Sequence, residues 1–177
     1  MYLQMKEENI LIENFNYNSI KKLGDGSVTY FDFEEDFMEN NIRCIPMIVR
    51  FKLDAIGIKL KLAEWSKFKV EERKSLTEKS CVTPEEIKSY RDEVRQLVRR
   101  RAGTEPAMLS VEDNPAWFDM SDIHYELQEQ AKEYNWEISV EQWRSLTNLQ
   151  RFALLKLSKP GHENKNFPKA MKEFCLA

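Results

Sequence analysis

The chain has 177 residues with 27 basic and 30 acidic side chains, a net charge of −3, and 42% hydrophobic residues. This is enough for one domain or two small halves that share a core, and the charge does not favour a nucleic acid or an anionic membrane as partner. The sequence contains no apolar run of bilayer length, no signal-peptide pattern and only three, widely spaced cysteines, so we expect a soluble cytoplasmic protein with reduced thiols.

The first part of the chain predicts an arm followed by a helical pattern. Residues 1–30 have no sustained hydrophobic period and are interpreted as a loosely attached, partly ordered arm. Pro46 stands where a helix can begin, and a broad apolar face then leads to Gly57, the residue type that best ends a helix in the left-handed conformation. Apolar residues alternate over 58–62, which predicts a short extended connection before helical stretches resume around Trp65.

The middle of the chain predicts one long charged helix and then a loop. Thr83-Pro-Glu-Glu86 is a capping box with proline at the first helical position. The helix that follows, about 84–102, has its acids early and its arginines late, as the helix dipole favours, and Gly103 ends it. Residues 104–120, which include two prolines, are interpreted as a loop.

The last part of the chain predicts four further helices. Ser121 is expected to cap a helix that turns Tyr134 inward, and capping boxes at 139–142 and 147–150 predict the next two helices. A short helix is expected from about Pro168. Because no segment calls for an extensive sheet, the predicted fold class is all-α.

The two halves share one pattern at a fixed offset of 78 positions, which separates Trp65 from Trp143. At the same offset Gly57 corresponds to Asn135, and these two residue types best tolerate a left-handed helix end. We therefore predict one compact domain over 31–177, built from copies at about 46–76 and 124–154 that pack around a pseudo-twofold axis, with the helix at 84–102 inserted. The predicted structural residues are Gly57, Trp65, Arg73, Asn135, Trp143 and Arg151.

Arg73 and Arg151 occupy equivalent places in the two copies, just after turns. A guanidinium group there could grip an anion such as phosphate or carboxylate. It could instead satisfy the carbonyl groups of a neighbouring helix end. We favour the structural interpretation, because residues that repeat with the fold usually repeat a packing role.

Two positions are weak candidates for metal or thiol chemistry. Cys44 lies beside Arg43 just before a predicted helix, where a thiol has a lowered pKa, although a small buried apolar residue is the interpretation we favour. His162 precedes Glu163, but the histidine spacing of a zinc metalloprotease is missing, so it would join Cys44 only through tertiary contact. We predict no metal site.

The sequence carries no recognisable catalytic motif. The basic run 98–101 at a helix C-terminus is more typical of a solvated end than of a phosphate site. The chain contains no glycine-rich phosphate loop, nucleophile elbow or dinucleotide fingerprint. We therefore expect a protein that is not an enzyme and has no cofactor.

Two groups of strings resemble a known family. The first group is Phe33-Glu-Glu-Asp-Phe37, Arg43-Cys-Ile-Pro-Met47, Lys52-Leu-Asp54, Gly57-Ile-Lys-Leu60 and Glu72-Arg73. The second group is Gln150-Arg-Phe-Ala-Leu154, Lys156-Leu157, Gly161-His-Glu163, Asn166-Phe167 and Glu173-Phe174. These strings resemble the nitrate reductase associated proteins of bacteria, over about residues 31–81 and 116–174.

The resemblance implies a cytoplasmic accessory protein of assimilatory nitrate reductase, rather than the reductase itself. That reductase is the implied partner, neither a membrane nor a nucleic acid is expected, and the oligomeric state is left open. The family supplies no catalytic residues to carry over. An exposed part of 43–54 or 157–167 is expected to contact the partner, and the candidate contact residues are Arg43, Arg50, Asp54, Lys156, His162, Glu163 and Asn166.

Two alternatives remain at this point. One is a molybdopterin or metal carrier that uses Cys44 and His162, with a basic pocket from Arg43, Arg50 and Lys156. The other is a DNA-binding regulator, suggested by the helix-turn-helix pattern and disfavoured by the net negative charge.

Overall fold

The computed structural model describes residues 30–34 and 44–177. These residues fall into two compact units: the first contains 30–31 and 44–113, and the second contains 32–34 and 114–177. The all-α prediction is confirmed, because the described residues form eight α-helices and a single two-stranded ribbon. The arm predicted over 1–30 lies outside the described residues apart from Tyr30, and the single domain over 31–177 stays a prediction.

The first unit consists of four helices and the ribbon. Thr83 caps the longest helix as predicted, since its hydroxyl accepts from the Glu86 N–H (3.2 Å) and the Glu86 carboxylate accepts from the Thr83 N–H (3.0 Å). Gly103 ends that helix in the left-handed conformation, with φ 71°. The elements in chain order are α1 Met47–Ala55, β1 Ile58–Lys59, α2 Leu62–Trp65, α3 Val70–Glu78, α4 Pro84–Ala102 and β2 Ala107–Met108.

The ribbon corrects the loop predicted over 104–120. Strand β1, within the predicted extended connection, pairs antiparallel with β2, with Ile58 opposite Met108 and Lys59 opposite Ala107. The Leu109 N–H continues the ladder by donating to the Gly57 carbonyl (2.8 Å). The sequence signal was weak because the strand is only two residues long and its side chains are exposed.

The second unit consists of four helices and three 3-10 turns. The turn Asp32–Glu34 is held by Glu173, whose carboxylate accepts from the Asp32 N–H and the Phe33 N–H, both at 3.0 Å. The remaining elements are the turn Ala116–Phe118, α5 Tyr125–Lys132, α6 Val140–Ser145, α7 Asn148–Leu157, the turn His162–Asn166 and α8 Phe167–Glu173.

The helix predicted to be capped by Ser121 starts three residues later, with His124 at the cap and Tyr125 as its first residue. The Ser121 N–H and hydroxyl both donate to the Asp119 carboxylate (2.8 and 2.6 Å), so they stabilise a turn instead of capping a helix. Tyr134, predicted to face inward, is 37% exposed. It lies beyond the end of α5 and stacks on Trp136, with ring centroids 5.1 Å apart.

Local structure repeats at the predicted offset. Helices α1 and α5 begin at 47 and 125, α2 and α6 at 62 and 140, and α3 and α7 at 70 and 148, so each pair is 78 positions apart. Gly57 and Asn135 both adopt positive φ, at 66° and 57°. Both residues thus hold the left-handed conformation, and their role as structural residues stays a prediction. The pseudo-twofold packing of the two copies stays a prediction.

The caps of the two copies differ in one respect. At Ser139 and Thr147 the hydroxyl and the glutamine three residues later form a complete reciprocal cap. At Lys61 and Lys69, where the side chain has no acceptor atom, only the backbone N–H is bonded, to Glu64 and Glu72 (both 2.8 Å). In the first copy, therefore, each capping box has only the half in which the carboxylate accepts from the backbone N–H.

Glu72 also joins α3 to the end of α4. Its carboxylate accepts from the Arg101 Nη2 (2.7 Å) and from the Arg100 Nη2 (2.9 Å). Hydrogen bonding from Arg101 lowers the pKa of Glu72 to about 2. At the C-terminal end of α4, Arg100 and Arg101 in the basic run 98–101 are thus ion-paired and not fully solvated.

We expect Glu72→Gln to lower the free energy of unfolding by about 1–2 kcal/mol at pH 7, because the ion pairs that it breaks are partly solvated and therefore weak. The folded pKa lies below the ordinary value of 4.5, so the stabilisation is present above pH 4.5 and is lost as the pH falls towards 2. Urea unfolding of both proteins from pH 7 to pH 2.5 measures this difference. Glu105→Gln is the matched control, because Glu105 pairs with Arg99 while 58% exposed, and no measurable change is expected. A difference for Glu72→Gln that does not shrink in acid would contradict the prediction.

Candidate partner-contact surface

The contact residues predicted in the first unit lie on α1. Arg50 and Asp54 are half-buried on this helix, whose other side chains are largely in the core. Arg43 lies outside the described residues. The predicted segment 43–54 therefore offers only a partly exposed helix face, and its role in partner contact stays a prediction.

The contact residues predicted in the second unit lie on α7 and the turn after it. Lys156 is half-buried, with its ammonium 5.0 Å from the centroid of the Phe152 ring. Asn166 is 8% exposed at the start of α8, so it presents little surface. The backbone of His162 and Glu163 belongs to the 3-10 turn His162–Asn166. Their contribution to a partner also stays a prediction.

The cysteines occupy three different environments. Cys44 is half-buried at the bend before α1, Cys81 is buried and Cys175 is exposed. Burial raises the pKa of the Cys81 thiol to about 11, which disfavours the reactive thiolate. Within residues 30–34 and 44–177, no group of three or more His, Cys, Asp or Glu side chains is arranged to hold a metal ion.

Arg73 and Arg151 satisfy carbonyl groups, as the favoured structural interpretation predicts. The Arg73 Nη1 donates to the Phe68 carbonyl (2.7 Å), and the Arg151 Nη1 donates to the equivalent Leu146 carbonyl (2.6 Å). Arg151 makes further bonds through its Nε to the Trp117 carbonyl (2.7 Å) and through its Nη2 to Asn148. Both guanidinium groups are therefore engaged in holding the turn before their own helix.

The two predicted structural tryptophans are core residues. Trp65 is 1% exposed and packs edge-on against Phe68, with ring centroids 5.9 Å apart. Trp143 is fully buried, and its Nε1–H donates to the Asp119 carbonyl (2.8 Å). Its ring also lies below Arg151, 5.8 Å from the guanidinium carbon. Both side chains thus lie in the core, and their structural role stays a prediction.

Lys52 is a buried cation whose role the sequence did not reveal. It is fully buried on α1, and its ammonium donates to the carbonyls of Leu76 (3.3 Å), Thr77 (2.8 Å) and Lys79 (2.8 Å). These carbonyls lie at the C-terminal end of α3, where backbone acceptors lack helical partners. Burial lowers the pKa of Lys52 to about 8. Its position among apolar residues in the sequence was the only available signal.

Gly57 allows the chain after β2 to approach closely. A Cβ atom on this residue would lie 2.7 Å from the Leu109 carbonyl oxygen and 3.0 Å from the Val111 Cγ2. At Gly103, with a similar φ of 71°, a Cβ atom would meet nothing within 4 Å. The same left-handed conformation thus carries an additional steric requirement only at Gly57.

We expect Gly57→Ala to lower the free energy of unfolding by about 2–4 kcal/mol, because left-handed strain adds to a backbone clash. Gly103→Ala is the matched control and is expected to cost about 1 kcal/mol, from the conformation alone. Urea unfolding of the two variants measures the difference. Equal losses would show that the contact with Leu109 does not restrict position 57.

The segment that packs over Gly57 is itself exposed. Met108 is 60% exposed, Leu109 is 43% exposed and Val111 is 42% exposed. Isolated apolar side chains are common on protein surfaces, whereas this segment exposes three within four positions, which we call the apolar patch. The predicted loop over 104–120 therefore contains a surface suited to protein contact that the sequence analysis missed.

Comparison with known protein families matches residues 30–174 to the family described as conserved nitrate reductase-associated protein. The chain belongs to this family. The prediction based on the two groups of strings is thereby confirmed. Searches of the curated proteins and of the solved structures give no significant match. Among the helices of the described residues, none combines the length and apolar character needed to cross a membrane.

Proposed function

We propose that this member of the nitrate reductase-associated family is a non-catalytic accessory protein of assimilatory nitrate reductase. It acts in the cytoplasm by direct protein contact and is required for the activity or maturation of the enzyme. The observation that carries the proposal is the family match over residues 30–174. The exposed apolar segment around Met108 supports a contact role, because such patches are typical of protein interaction sites.

A gene deletion tests the requirement for the protein. In cells grown on nitrate, we expect the deletion to lower nitrate reductase activity and a plasmid copy of the gene to restore it. Activity should be divided by the amount of reductase polypeptide, measured by immunoblot. A loss of activity per polypeptide would indicate a role in maturation or activation, whereas a loss of polypeptide would indicate stabilisation. Full activity without the gene would contradict the proposal.

Binding of the two purified proteins tests the direct contact. We expect the full-length chain to bind nitrate reductase from the same organism. If the chain binds neither the apo form nor the cofactor-loaded form of the reductase, direct contact is contradicted.

The carrier hypothesis predicts molybdenum, another metal or molybdopterin in the purified chain. The regulator hypothesis predicts a mobility shift of duplex DNA at low salt. A positive result in either assay would replace the contact mechanism.

A further inference from the structure

Strand β2 and the residues after it extend beyond the core of the first unit. Every residue from 107 to 113 is exposed. Ile58 and Met108 are opposite each other in the ribbon and share a face, yet Ile58 is 1% exposed and Met108 is 60% exposed. The inner face of the ribbon is therefore covered at β1 and open at β2.

The backbone of this segment also has an open edge. The bond from the Leu109 N–H to the Gly57 carbonyl makes these two residues a hydrogen-bonded pair of the antiparallel ladder. Because such pairs alternate along a ladder, the N–H and C=O groups of Met108 point away from β1, and an extended chain continued past Leu109 would turn those of Ser110 the same way. In the described part of the chain the sheet has only these two strands. The outer edge of β2 thus presents backbone groups that an added strand can bind.

The charges of the segment indicate what kind of strand fits. Residues 104–113 contain Glu105, Glu112 and Asp113 and no basic residue. Glu105 forms an ion pair with Arg99, and Glu112 and Asp113 are exposed at the other end. A strand with lysine or arginine near the acidic end would be complementary.

The same charges disfavour a second copy of this chain that pairs about an axis through Leu109. A twofold axis through Leu109 would place Glu105 of one copy opposite Asp113 of the other, on both sides of the axis. Like charges directly opposite each other destabilise a strand pair. A partner segment with basic residues avoids this repulsion.

We propose that β2 and the three residues after it (107–111) bind an extended segment of nitrate reductase by strand addition along their outer edge. The segment carries apolar side chains flanked by lysine or arginine. Main-chain hydrogen bonds form to Met108 and Ser110, and apolar contacts form with Met108, Leu109 and Val111. This proposal rests on the proposed function, since it assigns the contact to one surface.

Two variants of the full-length chain test the edge. Ser110→Pro removes an N–H that points outward while leaving the Leu109 bond to Gly57 in place, and Met108→Lys places a charge in the apolar patch. Binding to purified nitrate reductase is measured by calorimetry or on an immobilised surface. We expect each variant to raise the Kd by about tenfold or more, as loss of a central contact does.

Val70→Lys is the matched control for Met108→Lys. Val70 is 63% exposed in the same unit and lies on α3, away from the ribbon in sequence. We expect the Kd of this variant to stay within about twofold of the wild type, as for a substitution outside an interface. Urea unfolding and sedimentation of each variant accompany the binding measurement, and both are expected to match the wild type.

The outcomes separate this proposal from the proposed function. Wild-type binding that both Ser110→Pro and Met108→Lys retain would overturn the edge proposal and leave direct contact intact. A wild-type chain that does not bind would contradict both. A wild-type dimer that Ser110→Pro dissociates would assign the edge to a second copy. A loss of unfolding free energy in Ser110→Pro would assign it to a segment of the chain itself. The last two results each overturn the proposal.

Discussion

Replacing Arg151 by methionine is expected to lower the free energy of unfolding by about 3–5 kcal/mol, as for the disruption of a buried hydrogen-bond network. Arg151 is only 3% exposed, and its donors reach the carbonyls of Trp117, Leu146 and Trp143. Methionine keeps much of the volume and none of the donors. Three carbonyl groups, one from the turn Ala116–Phe118 and two from the end of α6, would then lose a charge-assisted bond. Urea or thermal unfolding measures the loss.

Arg73→Met is the control for this prediction, because Arg73 holds the equivalent position 78 residues earlier. Arg73 is half-buried and donates to the Phe68 carbonyl, whereas Arg151 makes several bonds. We expect a loss of about 1 kcal/mol, typical of one hydrogen bond. Arg151→Lys should still lower the free energy of unfolding, since an ammonium group lacks the planar fork of donors of a guanidinium group. Equal losses for Arg73→Met and Arg151→Met would contradict this account.

Replacing Lys52 by methionine is expected to lower the free energy of unfolding by about 2–4 kcal/mol at pH 7, because buried carbonyl groups lose a cationic donor. The affected carbonyls of Thr77 and Lys79 lie at the end of α3, whereas that of Leu76 also accepts from the Tyr90 hydroxyl (2.9 Å). Urea unfolding measures the change. Lys88→Met, on the exposed side of α4, is the control and is expected to change little.

The Lys52 effect is also expected to depend on pH. The folded pKa of about 8 lies below the ordinary value of 10.5, so between these values the unfolded chain binds more protons than the folded one. The contribution of Lys52 to stability therefore rises as the pH rises through this window. Between pH 7 and pH 9.5 the difference between wild type and Lys52→Met should grow by about 1–2 kcal/mol. A constant difference would contradict this part of the prediction.

The sequence predicted those features of the fold that depend on short-range chemistry. The Thr83 capping box and the left-handed ends at Gly57 and Asn135 each follow from a few neighbouring residues. The 78-residue offset was visible because apolar and turn positions recur together. The carbonyl-binding role of Arg73 and Arg151 followed from the same recurrence.

The features that were missed depend on contacts distant in sequence. The three acceptors of Lys52 come from 24 to 27 positions away, so nothing near Lys52 identifies them. Strand β2 exists because Gly57 permits a close approach, and its own residues show no buried alternation. Ser121 was a plausible cap, but the adjacent Asp119 carboxylate competes for its donors. For the contact surface, the sequence strings pointed to α1 and to 157–167, and those contacts stay predictions.

The clasp between Glu173 and the turn Asp32–Glu34 has a consequence for synthesis on the ribosome. Its two hydrogen bonds join residues 141 and 140 positions apart, and the first unit lies between them in the chain. Residues 44–113 can therefore fold while later residues are still being translated. The hydrogen bonds from the turn at 32–34 can form only after Glu173 has been synthesised and has left the ribosome.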